Sequence, residues 1–368
     1  MTEQPPIKIS DVEVVRVDGR DCLRANIDGR PISFGFDPAL RVETRIEPFL
    51  PIALLIGMAT GRAIEADRSA PVSPQLLGNM GTYQRIIRQW NPEAATVKID
   101  AETAPPRERN DMVVSTYSGG VDSGCTLVRR IGEITHLLYL SDFDRRSKDE
   151  WPTVEAEWRS RIRRLGKEPI TVETNALRFA EEFGVSAHYS HGSILGGLLA
   201  YLAPRKAFIP GSHTYRDLKP WGSHPLLDIL WSTETTHIEH DSLDLTRSEK
   251  TRVIAGHTEA LAQLQVCWYA RTDNCGRCSK CIRTMLALKI FGLGPGPFPD
   301  VDVLSMVKKL KPGNFSAASF CWDLMHQARR YGYPDVAAQL DQMLRRYKFD
   351  RDIRRLFKSM IGKSVATR

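Results

Sequence analysis

Six consecutive residues in the first half of the chain have the composition of a phosphate-binding loop. They read Ser118-Gly119-Gly120-Val121-Asp122-Ser123. Glycine lets a backbone approach a ligand closely, and the N–H groups and dipole at the start of a helix favour phosphate. The serines add hydroxyl donors, and Asp122 can cap the helix or hold Mg²⁺. We expect this hexapeptide to bind phosphate groups, with Asp122 and Ser123 as its catalytic residues.

A second cluster has the spacing of a metal site. Four of the seven cysteines lie within 15 residues, as Cys267, Cys275, Cys278 and Cys281, in the pattern C-x7-C-x2-C-x2-C. Thiolates at such spacing suit tetrahedral Zn²⁺, and four cysteines leave no open ligand position, so we expect a structural zinc. An iron–sulfur cluster is the alternative, because C-x2-C-x2-C also occurs in ferredoxins. We expect Ser279 to cap the helix that follows.

A third set of polar residues is concentrated between Gly211 and His224, where donors, cations and aromatic residues are dense. In this stretch Arg216 and Lys219 can pair with an anionic substrate. His213 or His224 can move protons. We expect the stretch to form an acceptor pocket, and an ordinary structured loop is the alternative.

Alternating strands and helices must position these groups. The apolar run Met112–Tyr117 predicts a buried strand, and Leu127, Val128 and Ile131 have the spacing of a helix face packed on a sheet. The hexapeptide therefore occupies a strand-to-helix turn. Further strands are predicted at 134–140, 169–173 and 207–209, with helices between them. This alternation predicts an α/β fold with a doubly wound parallel sheet, whose ligands lie beyond the C-terminal ends of the strands.

The chain divides by pattern into three parts. Residues 1–104 predict a small α+β module that could serve packing, substrate capture or dimerisation, and a polar segment at 104–110 predicts a linker. Residues 111–291 predict the nucleotide-binding domain, with the cysteine cluster at 267–281. Residues 300–368 predict a basic helical region, because residues 301–368 hold 14 Lys and Arg against 6 Asp and Glu. Such a region can bind RNA or form the solvated face of an amphipathic helix.

Composition indicates a cytoplasmic protein with no membrane segment. The chain has 368 residues and a net charge of +7. Its N-terminus lacks the apolar core of a signal peptide. The longest apolar stretch, Phe49–Ala59, is too short to span a bilayer. In such a protein the cysteines are expected to be reduced thiols or metal ligands.

The string S-G-G-x-D-S differs from the Walker loop and from the dinucleotide-binding G-x-G-x-x-G. It closely resembles the pyrophosphate loop of the ATP pyrophosphatase, or PP-loop, superfamily. That resemblance implies that residues 118–123 bind ATP. It also implies cleavage of ATP between the α and β phosphates and transfer of AMP to an oxygen of the substrate.

The loop followed by the cysteine cluster resembles the 7-cyano-7-deazaguanine synthase family over residues 111–291. Those enzymes use ATP, Zn²⁺ and ammonia to convert a carboxyl group into an amide and then a nitrile. The segment from Asp142 to Arg146 is similar to the family's D-Y-G-Q-R, and Pro210-Gly211-Ser212-His213 is similar to its P-G-R-N. The resemblance implies a substrate role for Asp142 and Arg145. Asp144 and Arg145 replace the family's Gly and Gln, so we expect a different carboxylate substrate.

Three hypotheses for function follow. The first is an ATP-dependent ligase that adenylates a carboxylate for attack by ammonia or another nucleophile, with Asp122 as the best Mg²⁺ ligand and Asp142 or Asp144 as weaker ones. The second is a PP-loop enzyme that modifies RNA, such as a thiolase, for which the basic region would hold the RNA. The third is a non-catalytic ATP-binding or scaffold protein. A homodimer is compatible with each of them.

Overall fold

A computed structural model of the chain describes residues 4–144, 150–267, 269 and 273–348. Contacts divide the chain into two compact units. The first unit comprises residues 1–118, 129–211 and 218–242. The second comprises residues 119–128, 212–217 and 243–368. Both units are therefore discontinuous in sequence.

The first unit is built around a mostly parallel sheet that has ten strands within the described residues. The strands are β1 (Ile7–Val17), β2 (Arg20–Ile27), β3 (Arg30–Phe36), β4 (Ile64–Ala66), β5 (Ile99–Asp100), β6 (Asn110–Thr116), β7 (His136–Leu140), β8 (Glu168–Thr174), β9 (Pro204–Pro210) and β10 (His237–Asp241). Their order across the sheet is β10-β9-β6-β7-β8-β3-β2-β1-β4-β5. The predicted α/β class is confirmed.

The helices lie between and after these strands. They are α1 (Leu50–Thr60), α2 (Pro74–Trp90), α3 (Val121–Arg129), α4 (Trp151–Arg164), α5 (Ala176–Glu182), α6 (Ala187–Leu202), α7 (Pro225–Asp228), α8 (Arg247–Ala255), α9 (Thr258–Ala262), α10 (Ser279–Ile290) and α11 (Phe315–Arg330). A further helical segment covers 334–348. Among the residues that the structure describes, no helix is both long enough and apolar enough to cross a lipid bilayer.

The five strands β6 to β10 have the order of a doubly wound sheet. The chain enters at β6, adds β7 and β8 on one side, and then returns to add β9 and β10 on the other, with every neighbouring pair parallel. The order therefore reverses between β6 and β9. In such sheets ligands bind at the C-terminal strand ends beside this reversal. Ser118 and Gly211 follow those two strands within a few residues, as the positions of the polar segments predict.

The N-terminal strands extend this sheet rather than forming a second one. β1, β2 and β3 are antiparallel neighbours. The turns at Asp18-Gly19 and Asp28-Gly29 have positive φ at both central residues, as their sequence predicts. β3 then pairs with β8, with Phe34 opposite Thr174 and Phe36 opposite Val172. Phe34 and Phe36 are fully buried, so pairing with β8 also closes the apolar core.

The segment predicted as a linker is packed against the first unit. Arg45 Nη1 donates to the carbonyl oxygen of Pro105 at 3.0 Å. Arg107 Nη1 donates to the carbonyl oxygen of Tyr201 at 2.9 Å, and its guanidinium lies 4.7 Å from the centre of the Tyr201 ring. Polar, proline-containing sequence is typical of linkers, but here its arginines reach back to carbonyl groups of the unit.

The second unit consists mainly of helices, in which α8, α10 and α11 pack on one another. α8 begins with a capping box: the Thr246 hydroxyl accepts from Glu249 N, and the Glu249 carboxylate accepts from Thr246 N at 2.8 Å. α3 approaches α8 closely, because a side chain added at Gly124 would lie 3.0 Å from Ile254. This packing sets the position of the loop that precedes α3.

One ion pair of the first unit is almost completely buried. Arg45 and Glu47 have side chains that are 6% and 3% exposed and lie 2.7 Å apart. Replacing Arg45 by methionine leaves the Glu47 charge buried, so we expect Arg45→Met to lower the free energy of unfolding by about 3–5 kcal/mol. Arg24→Met is the matched control at an exposed pair with Glu13, and it should cost less than about 1 kcal/mol. Urea unfolding followed by circular dichroism measures both losses. Equal losses would contradict a special role for the buried pair.

Candidate functional site

The predicted phosphate loop adopts the expected strand–turn–helix arrangement. β6 ends at Thr116 and α3 begins at Val121. Gly119 has φ of +78°, in the left-handed region that glycine adopts without strain. Its carbonyl oxygen accepts a hydrogen bond from Gln265 N at 2.8 Å, and a side chain at this position would lie 3.4 Å from Gln265 Cβ. The loop is therefore anchored to the chain segment that leads into the cysteine cluster.

Asp122, in the first turn of α3, is the centre of an ion-pair network within the second unit. Its Oδ2 lies 2.6 Å from Arg247 Nη1, and its Oδ1 lies 3.8 Å from Lys250 Nζ. Ser212 Oγ donates to Oδ2 at 3.3 Å. Burial alone would raise the pKa of Asp122, but the charges of Arg247 and Lys250 outweigh it and lower this pKa below its usual value. The carboxylate is therefore ionised and fixed by cations.

Two cations reach this region from α8 and two from α10. Arg247 and Lys250 are three residues apart on α8, and Lys280 and Arg283 are three apart on α10, so each pair shares a helix face. Burial, followed by the charge of Arg247, lowers the pKa of Lys280 to about 8, although Asp122 acts in the opposite direction. Burial and Arg247 also lower the pKa of Arg283. Crowded, desolvated cations of this kind favour an anionic ligand.

An aromatic ring on α11 orders the two arginines. The guanidinium groups of Arg247 and Arg283 lie 5.0 and 5.5 Å from the centre of the Phe320 ring. Cation–π contacts of this kind hold a guanidinium in place without neutralising its charge. Ser123, in the same unit, donates from Oγ to the carbonyl oxygen of Gly120 at 3.2 Å and so tightens the turn.

The four predicted cysteine ligands converge. Their Sγ atoms all lie within 4.8 Å of one another. Cys275 Sγ and Cys278 Sγ lie 3.9 and 3.4 Å from Cys281 Sγ. Sulfur atoms around a tetrahedral Zn²⁺ are about 3.8 Å apart, given a Zn–S distance of about 2.3 Å. The cluster therefore fits a metal ion such as zinc.

Backbone donors surround these sulfurs in a way that suits thiolates. Cys275 Sγ accepts from the N–H groups of Arg277 and Cys278 at 3.4 Å each, and Cys267 Sγ accepts from Tyr269 N at 3.3 Å. Cys278 Sγ accepts from Cys281 N at 3.5 Å and occupies the N-cap of α10. The prediction that Ser279 caps this helix is therefore wrong, because the cysteine sulfur already satisfies the first free N–H group.

Two residues other than the four cysteines, Asn274 and Gly276, determine the conformation of the segment that carries the cysteines. The Asn274 side chain accepts from Val266 N at 2.9 Å and donates to the carbonyl oxygens of Leu264 and Pro297, so it ties together the two arms that carry the cysteines. Gly276 has φ of +66°, and a side chain there would lie 2.5 Å from Pro299. Only glycine fits this turn.

Two of the predicted acceptor-pocket residues lie in the second unit with Asp122. His213 is buried, stacks on Phe320 and lies 3.3 Å from Ser316 Oγ. Arg216 pairs with Asp217 at 3.0 Å and lies 4.1 Å from the centre of the Trp322 ring, with half of its side chain exposed. Arg216 therefore presents its charge at the surface.

The other predicted substrate residues lie in the first unit. Lys219 Nζ lies 4.8 Å from the centre of the Trp221 ring, and burial lowers its pKa. The His224 ring caps α7 by accepting from Leu226 N at 3.1 Å. Asp142 is buried and accepts from Arg178 N and Nε at 2.9 and 2.6 Å. In this structure the side chains of His224 and Asp142 accept hydrogen bonds from residues of their own unit.

The remaining loop predictions lie at or beyond the edge of the described residues. Arg145 is outside them. Asp144 ends a 3₁₀ turn at Ser141–Asp144, and its side chain is not described.

Sequence reasoning missed all four cations of the network. A signal did exist, since the i, i+3 spacing of basic residues on two short helices places two charges on each face. This spacing indicates a binding site only once the structure shows that the two helices lie near α3.

No protein-family model matches the chain, and neither a curated protein nor a solved structure matches it.

Removal of one ligand should abolish metal binding. We expect the purified protein to contain about one zinc ion per chain and the Cys278→Ser variant to contain almost none, because tetrahedral sites of this kind need all four ligands. Cys22→Ser is the control, since Cys22 lies on β2, and it should retain the metal. Elemental analysis by mass spectrometry measures the content. Strong visible absorbance accompanied by iron would instead indicate an iron–sulfur cluster.

Proposed function

We propose that this chain is an ATP-dependent enzyme of the PP-loop type, which transfers AMP to an oxygen of its substrate and releases pyrophosphate. The observation that supports this most is the ionised Asp122 at the start of α3, held by Arg247 at 2.6 Å and by Lys250. The strand order that reverses between β6 and β9 supports it further, because ligands in such sheets bind at that reversal.

The chemistry explains why a carboxylate substrate needs this enzyme. A carboxylate does not react with ammonia unassisted, since oxide would have to leave. Transfer of AMP to the carboxylate oxygen breaks the bond between the α and β phosphates and makes AMP the leaving group of the next step. In the proposed reaction, the N–H groups at the start of α3 bind the phosphates, and Arg247 and Lys280 offset the charge that moves onto pyrophosphate.

We propose Mg²⁺ for the same site. Asp122 has two carboxylate oxygens, of which Oδ1 has Lys250 Nζ only at 3.8 Å. That oxygen is the one we assign to Mg²⁺, which supplies charge neutralisation between phosphates when it is bound. Arg247 keeps the other oxygen in place. The proposed role of Asp122 is therefore to carry Mg²⁺ and the arginine together.

The acceptor and its partner nucleophile are proposed from the polar stretch after β9. A carboxylate, such as one on a modified base, suits the exposed cation of Arg216. Ammonia or another small nucleophile would then displace AMP. His213 is the proton carrier that we favour over His224, because the His224 ring already accepts a backbone hydrogen bond in α7.

The direct test is the identity of the nucleotide product. Metal-loaded protein is incubated with [α-³²P]ATP, Mg²⁺, ammonium and a cell extract, and the labelled product is separated by chromatography. We expect AMP, formed in an extract-dependent way. Asp122→Asn should lower the rate by about 10–100-fold, as losses of groups that orient a metal do. Asp341→Asn is the control, because Asp341 pairs with Arg345 at the surface.

Each other outcome points to a different function. ADP as the labelled product would contradict the adenylating reaction. Loss of AMP formation after nuclease treatment of the extract would identify RNA as the acceptor and favour the RNA-modifying alternative. ATP binding without turnover, in extracts that support other adenylating enzymes, would favour the non-catalytic alternative.

The acceptor assignment has its own test once the acceptor is fractionated. We expect Arg216→Ala to raise the KM for the acceptor by about tenfold, because it removes one charge-assisted hydrogen bond to a carboxylate. The KM for ATP should change by less than about twofold. Arg329→Ala is the control, since this side chain is 53% exposed and pairs only at 3.9 Å with Asp341. Equal changes in both KM values would overturn the assignment.

A further inference from the structure

A cavity of about 930 Å³ lies within the first unit. It is lined by residues of β1, β2, β3 and β8 and by the start of α4. Four of the lining residues pair with one another across these strands and form one row, Val15, Cys22, Gly35 and Glu173. Paired residues present their side chains on the same face of a sheet, so this row belongs to the floor of the cavity.

Gly35 leaves space in the middle of this floor. A side chain added there would lie 3.2 Å from Cys22 Sγ and 3.7 Å from Glu173 Cβ. Because glycine has no side chain, both of these neighbours stay reachable from the cavity. Ligand pockets have volumes of about 300–1,000 Å³, so the cavity has room for a small organic molecule.

The guanidinium groups that line the cavity are already paired with carboxylates. Arg20 lies 2.5 Å from Glu155, and Arg24 lies 2.8 Å from Glu13. Arg178 lies 2.6 Å from Asp142, and Arg20 Nη1 is buried. The lining holds three guanidinium groups in all against five carboxylates, namely Asp11, Glu13, Asp18, Glu155 and Glu173. The net charge of the lining therefore favours a cationic ligand.

Glu173 is the carboxylate on the floor that has no counter-charge. Its side chain makes no ion pair or hydrogen bond with any residue that the structure describes, and the residue is half-buried. Burial, followed by the charge of Glu173, raises the pKa of the neighbouring Cys22 thiol. An unpaired carboxylate in a partly desolvated position binds an ammonium group by a charge-assisted hydrogen bond.

The rest of the lining suits a long apolar body. The cavity follows β1 from Asp11 to Val17, a distance of about 20 Å at the rise of a strand. Trp151 is 6% exposed and its Nε1 is buried, so it presents ring carbon atoms. Further apolar lining comes from Val15, Val17, Ile32 and Pro152. Carboxylates at both ends of this length, with Glu173 between them, match ammonium groups spaced along an aliphatic chain.

We propose that this cavity binds a linear polyamine, in which one ammonium group pairs with Glu173 and the methylene chain packs on Val15, Val17 and Trp151. The ligand class is an aliphatic chain that carries two or more ammonium groups. This site lies on the N-terminal strands and β8 and does not depend on the adenylating reaction. It gives the N-terminal strands a role in ligand binding in addition to their place in the sheet.

The affinity arm of the test uses spermidine and calorimetry on the full chain. We expect Glu173→Gln to weaken spermidine binding by about tenfold, because it removes a charge-assisted hydrogen bond but keeps the shape of the side chain. Glu168→Gln is the control at an exposed position of the same strand, and it should change the affinity by less than about twofold. Thermal unfolding of each variant checks that the fold is intact. Equal affinity in Glu173→Gln and wild type would overturn the proposal.

The protection arm needs no variant, because Cys22 on the floor reports occupancy of the cavity. Alkylation of Cys22 by a maleimide is followed by peptide mass spectrometry in wild-type protein. We expect saturating spermidine to slow this reaction by about tenfold, and butylamine, with one ammonium group, to have little effect. Unchanged alkylation with spermidine would overturn the proposal. Equal protection by Mg²⁺ at the same concentration would assign the carboxylates to an inorganic cation and would also overturn it.

Discussion

The carboxylate of Asp122, whose side chain is 18% exposed, is the charge around which the second unit is arranged. A buried charge is tolerated only when opposite charges and donors reach it. Here they come from residues 90 and 125 positions away in sequence, Ser212 and Arg247. The requirement explains why three separate chain segments, 119–128, 212–217 and the part from 243 onward, form one compact unit. Without the carboxylate, Arg247 and Lys250, which lie three residues apart on α8, would lose this counter-charge.

The cysteine cluster also belongs to the second unit, and it overlaps the first turn of the helix that carries Lys280 and Arg283. The residues between its cysteines are too few to form an apolar core of their own. The Asn274 hydrogen bonds hold the turn together, and a metal ion on the four sulfurs would add to them. The same turn leads into α10, where Cys278 is both a candidate metal ligand and the N-cap. Arg283 is carried by α10, so the position of this helix determines where its guanidinium lies against the Phe320 ring.

Local sequence patterns predicted the turns and clusters that a few adjacent residues determine. The turn after β6 and the four-cysteine cluster are each specified by a few adjacent residues, and the structure contains both. β10 was not predicted, because His237–Asp241 is a polar segment whose strand conformation comes from pairing with β9. The joining of β3 to β8 was missed for the same reason, since register between distant strands is a tertiary property. The hexapeptide also gave Asp122 correctly as a charged residue at a helix start, but not the partners that keep it ionised.

The two predicted histidines show how structure separates residues that sequence treats alike. Both His213 and His224 follow β9 within the same polar stretch, yet His213 belongs to the second unit and His224 to the first. One nitrogen of the His224 ring accepts a hydrogen bond from Leu226 N and caps α7, and this bond fixes the tautomer of the ring. The His213 ring instead stacks on Phe320, the same ring that orders Arg247 and Arg283. A proton carrier must sit with the groups whose charge changes during reaction, and by that criterion the ring shared with the cations gives His213 the stronger claim.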